Sequence, residues 1–99
     1  MTTHFEISAK SGKRVYELWL DVENYYNSFE IGKNQIIIEG EPMIINPFTH
    51  KDWQKAFIVN SDVEGKIKIN FKKDHELIKV SRISKWRRGE PLFILKGIV

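Results

Sequence analysis

The sequence predicts an α+β domain of mostly antiparallel β-sheet, or a small barrel, with six to eight strands and one short helix near residues 49–59. Three observations carry this. Apolar and polar residues alternate along several short runs, which is the period of a half-buried strand. Glycine-containing turns at Ser11-Gly12-Lys13-Arg14 and Gly32-Lys33-Asn34 separate neighbouring runs, as hairpins require. Only residues 48–57 combine a helical apolar stripe with a helix-start signal.

Phe5, Ile7 and Ala9 alternate with polar residues and predict a first strand. Residues 15–22 fit two periods: Tyr16, Leu18, Leu20 and Val22 repeat every second residue, while Val15, Leu18, Trp19 and Val22 fit a helical stripe. Aromatic and branched content, together with the preceding Gly12 turn, selects the strand. Two β-rich runs flank Gly32-Lys33-Asn34, and Gly40-Glu41-Pro42 breaks the second from Met43-Ile44-Ile45. Proline donates no ladder hydrogen bond, so Pro42 belongs at a strand start, an edge or a bulge.

The helix is expected to start at Thr49 as N-cap, with Asp52 in the first turn and Phe48 stapled to Trp53. Trp53, Ala56 and Phe57 share its core-facing side. From Gly65 onward the pattern predicts a three-stranded meander. Ile67, Ile69 and Phe71 face the core, the turn falls at Lys73-Asp74-His75-Glu76, and Ile78 and Val80 are core residues of the next strand. The apolar run 91–99 is expected to close the chain. Gly40-Glu41-Pro42 recurs as Gly89-Glu90-Pro91, a repeat that turn chemistry explains without duplication.

Composition places the chain among ordinary globular domains, with 41% hydrophobic and 29% charged residues over 99 positions. Cysteine is absent, which excludes disulfides and thiolate metal ligands. No apolar run exceeds the four residues of 56–59 or 92–95, far below the roughly 20 that span a bilayer. The expectation is one soluble cytoplasmic domain over residues 1–99, with no membrane partner and no cofactor.

Catalytic chemistry finds no support. The nucleophile elbow, the zinc-protease His-Glu-x-x-His and the phosphate-cradling glycine loop are all missing. His4, His50 and His75 read as separate polar positions, and Asp74-His75-Glu76 is a single turn without a second ligand cluster. The chain is expected to be a binding protein and not an enzyme.

Charge distribution supplies the binding hypotheses. The net charge of +3 conceals an acidic stretch over residues 1–64 and a basic one over 65–89. A basic meander predicts a polyanion partner, with nucleic acid as the expected one: Lys66, Lys68, Lys72, Lys79, Arg82, Lys85, Arg87 and Arg88 on phosphates and Trp86 stacked on a base. The alternative is a protein-binding inhibitor, antitoxin or immunity-type protein. It would use Glu17, Asp21, Glu23, Glu39 and Glu41 with Trp19, Tyr25 and Tyr26 as anchors. A third class is a structural or assembly subunit that pairs through an exposed strand edge.

Overall fold

The computed structural model describes residues 2–23 and 29–84. Eight strands and one short helix make up this part: β1 (Thr2–Ser11), β2 (Arg14–Glu23), β3 (Phe29–Ile31), β4 (Gln35–Glu39), β5 (Glu41–Ile44), a 3-10 helix (Phe48–Lys55), β6 (Phe57–Ser61), β7 (Lys66–Phe71) and β8 (Glu76–Ser84). All strand pairs are antiparallel. They form two four-stranded sheets, β5-β2-β1-β8 and β3-β4-β7-β6.

Alternation along the strands creates a single core between the sheets. Phe5, Ile7, Ala9, Leu18, Leu20, Val22, Leu77 and Val80 come from the first sheet, and Ile36, Ile38, Phe57, Ile67 and Ile69 from the second. Segment 15–22 is therefore the strand that the period of two predicts, with Leu18, Leu20 and Val22 fully buried. Gly12 takes the left-handed conformation in the β1–β2 turn, with φ of 61°. Pro42 lies on β5, an edge strand, where its missing N–H breaks no ladder.

Gly40 joins the two sheets. Its φ of 141° is a conformation that a side chain rarely allows, and it carries the chain from β4 in one sheet to β5 in the other within one residue.

Three sequence expectations change. The three-stranded meander from residue 65 does not form, because β7 pairs with β4 and β6 whereas β8 crosses to pair with β1. The core explains the crossing. Ile67 and Ile69 complete the inner face of one sheet, and Leu77 and Val80 complete that of the other. Secondly, a bulge in β8 opposite Ser8 and Ala9 places Ile78 as the extra residue, since Ser8 pairs with Lys79 and Ala9 with Leu77. Leu77 and Val80 thus both point inward, and Ile78 does not join the buried core.

Thirdly, the short helix is a 3-10 helix over Phe48–Lys55, and residues beyond Ala56 belong to β6. Pro47 and not Thr49 holds its N-cap position, without a side-chain cap, and the helix kinks at His50 and Asp52. Phe48 is 82% exposed, so no staple to Trp53 exists, and its ring sits under the Lys51 ammonium at 4.9 Å. Trp53 still packs on the core edge, with Ala56 and Phe57 buried. The predicted closing strand 91–99 and the second Gly-Glu-Pro lie outside the described residues.

Candidate functional site

The outer face of the β5-β2-β1-β8 sheet collects most of the acidic residues of the chain's first half. Val15, Glu17, Trp19, Asp21 and Glu23 alternate outward on β2, opposite the buried Leu18, Leu20 and Val22. Register places Lys10, Ser8, Glu6, His4 and Thr2 beside them on β1, and Met43 and Glu41 beside Asp21 and Glu23 on β5.

Trp19 stands at the centre. Its ring meets His4 edge-on at 5.8 Å and His50 at 5.4 Å. The indole N–H donates to Glu17 Oε1 at 3.2 Å, and Glu17 Oε2 lies 3.2 Å from His50 Nε2. His4 is buried beneath this layer, with Nδ1 at 2.8 Å from Asp21 and Nε2 at 2.7 Å from Glu6. The ring therefore bridges a carboxylate of β2 and one of its own strand. Glu23 accepts from the Thr2 hydroxyl at 2.6 Å, and Glu41 is directly opposite it on β5.

Asn46 fixes the geometry. Its Oδ1 accepts the Trp19 N–H at 2.7 Å, and its Nδ2 donates to the Glu17 and His50 carbonyls. The side-chain amide extends the β5–β2 ladder beyond the Ile45 N–H to Trp19 carbonyl bond at 2.9 Å. It also ties down the 3-10 helix at its kink. This brings His50, distant in sequence, onto the Trp19 ring. Between β2 and that helix lies a cleft of about 320 Å³ lined by Tyr16, Glu17, His50, Asp52 and Trp53 among others.

No protein family, curated protein or solved structure matches this chain.

Among the described residues, the predicted basic side chains do not share a surface. Lys66 and Lys68 point outward from the second sheet, where Lys66 stands opposite Glu39 in the β4 register and Glu30 stands one strand beyond Lys68, across Ile37. Lys72 follows β7 and is exposed. Lys79 lies on the outer face of the other sheet, opposite Ser8. Arg82 is opposite the buried Phe5, and its guanidinium stacks at 4.8 Å on the Phe29 ring. Burial there pushes its pKa down. Lys85, Trp86, Arg87 and Arg88 lie outside the described residues.

Of the alternative set, Glu17, Trp19, Asp21, Glu23 and Glu41 come together on one face. Glu39 sits on the other sheet, and Tyr25 and Tyr26 lie outside the described residues. Sequence reading missed His4, Glu6, Met43, Asn46 and His50 as parts of this site. The β1 pattern carried a signal for His4 and Glu6, since both are out of phase with Phe5 and Ile7. Asn46 and His50 carried none. Among the described residues no cluster of histidine and carboxylate side chains has the arrangement to hold a metal ion, and no helix is long and apolar enough to cross a membrane.

Proposed function

We propose that this chain is a non-enzymatic binding protein that docks a basic protein segment on the outer face of β5, β2 and β1. One observation carries the reading: Glu6, Glu17, Asp21, Glu23 and Glu41 surround Trp19 and Met43 on one sheet face. Met43 is 66% exposed and offers an apolar contact amid carboxylates. A half-buried tryptophan and an exposed, flexible thioether on the same sheet face, rimmed by like charges, are the composition of an interface anchor and its steering field.

The polyanion reading retains less support. Its strength was a single basic meander, and β7 and β8 belong to different sheets. Lys79 on β8 is the described residue from which that reading would extend into Lys85, Arg87 and Arg88.

The test is fluorescence anisotropy of a labelled lysine- and arginine-rich peptide, with a labelled single-stranded oligonucleotide in parallel, at roughly 50 and 200 mM salt. The expected result is saturable peptide binding that weakens about tenfold in a Glu23→Gln/Glu41→Gln protein and further in Met43→Ala. Oligonucleotide binding that disappears with Lys79→Gln, alongside indifference to the peptide, would overturn the proposal in favour of nucleic acid.

A further inference from the structure

The exposed edges of the two sheets are guarded unequally. β5 carries Pro42 and Glu41, β3 is three residues long and carries Glu30, and β8 carries Glu76, Lys79 and Arg82. Each of these discourages edge-to-edge pairing. Among the described residues β6 is the fourth edge, and its sequence Phe57-Ile58-Val59-Asn60-Ser61 contains neither charge nor proline. Ile58 is 44% exposed on its outer side.

The hydrogen bonds that flank β6 define which of its backbone groups face outward. The Lys72 N–H donates to the Ala56 carbonyl at 2.8 Å, and the Asp62 N–H donates to the Lys66 carbonyl at 3.0 Å. Even-numbered residues of β6 therefore turn their N–H and C=O toward β7, because these groups alternate along an antiparallel strand. Phe57, Val59 and Ser61 turn theirs to the open side.

We propose that β6 is a homotypic docking edge, at which a second copy of this chain adds antiparallel about a two-fold axis at Val59. In that register Val59 exchanges both hydrogen bonds with its own counterpart, and Phe57 does so with Ser61 on either side. Ile58 then faces the partner copy's Asn60 on the outer surface. The match is self-complementary, as a two-fold interface demands. It brings no ionisable side chains opposite one another, since Lys68 is one strand further in on each copy. A different protein would need a charge pattern on this edge for selection, and β6 has none. The surface belongs to the opposite sheet from the acidic face, so the inference stands independently of the proposed function.

Sedimentation velocity of the full chain over about a hundredfold concentration range reads the association directly. The wild type is expected to shift reversibly from monomer to dimer. An Ile58→Lys/Asn60→Lys protein places like charges directly opposite each other twice and should lose at least about tenfold in association constant, while Ile58→Glu/Asn60→Glu loses as much alone. A one-to-one mixture of the two should dimerise again. Circular dichroism of each variant verifies the fold, since both positions are exposed. A wild type that stays monomeric throughout, or charge variants that associate as the wild type does, or a mixture that stays monomeric would each overturn the proposal.

Discussion

Asn46 completes a strand with its side chain. Its amide supplies one acceptor and two donors, matching the Trp19 N–H and the Glu17 and His50 carbonyls. Truncation to alanine leaves these groups without their partner, and each unsatisfied buried group costs about 1–3 kcal/mol. The site is partly open to water, so Asn46→Ala should destabilise by about 2 kcal/mol in total, measured by urea unfolding. Asn46→Asp should be worse at neutral pH, because a carboxylate would confront two carbonyls; its deficit should shrink as acid protonates it. Asp62 plays a comparable part in the β6–β7 turn. Its Oδ1 accepts the N–H groups of Glu64 and Lys66, each at 2.9 Å. The Lys66 N–H is the largest cause of a carboxyl pKa held below the usual range; the Glu64 N–H and the charges of Lys68 and Lys66 add to it, against desolvation. The folded-state pKa is the lower one. Asp62 therefore contributes stability that is complete above the unfolded value of about 3.9 and is lost as pH falls through the folded value. Thermal unfolding followed from neutral pH into acid should show that loss, and Asp62→Asn should flatten this part of the profile.

At the scale of the element, strands whose apolar residues repeat every second position were legible, and positions where the repeat changes phase were not. Leu18, Leu20 and Val22 declared β2, and Ile67 and Ile69 declared β7, because burial on one face permits one register only. In Leu77-Ile78-Lys79-Val80 the chain offers three apolar residues, and a strict alternation selects Ile78 and Val80. The bulge overrides it by accommodating one extra residue against Ser8 and Ala9. The consequence is measurable. Leu77→Ala should destabilise by about 2–5 kcal/mol, the range for emptying a fully buried position, whereas Ile78→Ala should fall below that range in the same urea titration. A larger effect at position 78 would mean that the bulge lies elsewhere. The 3-10 helix failed in sequence for a related reason. Thr49 and Asp52 are sound local start signals, yet the His50 carbonyl is taken by Asn46 and its imidazole by Glu17, and these tertiary bonds kink the backbone where an α-helix would continue. For the candidate site, the acidic residues of β2 were visible because they share a parity. Their gathering with Glu6, Met43 and His50 depends on strand order, which the sequence does not print.

Across the whole molecule, strand order decides which charges act together. Residues 65–89 look like one basic surface only while β7 and β8 are neighbours. Once β8 pairs with β1, Lys66 and Lys68 join Glu30 and Glu39 on one outer face, while Lys79 joins the acidic face of the other. The chain accepts this division because both strands deliver their apolar residues to one core: Ile67 and Ile69 on one side, Leu77 and Val80 on the other. A shared core makes the sheets interdependent. Truncating Ile69, which is fully buried in the β4-β7-β6 layer, removes packing from both layers at once. Ile69→Ala should therefore lower the unfolding free energy by about 2–5 kcal/mol while keeping a single transition. Tryptophan fluorescence, which includes Trp19 on the first sheet, should lose its signal at the same urea concentration as far-UV circular dichroism, which averages over both. Amide hydrogen exchange should lose protection to the same extent at Ile7 and Leu20 as at Ile36 and Ile67. If exchange accelerated only in β4, β6 and β7, the sheets would be separate cooperative units. The acidic face could then keep its geometry without the second layer beneath it.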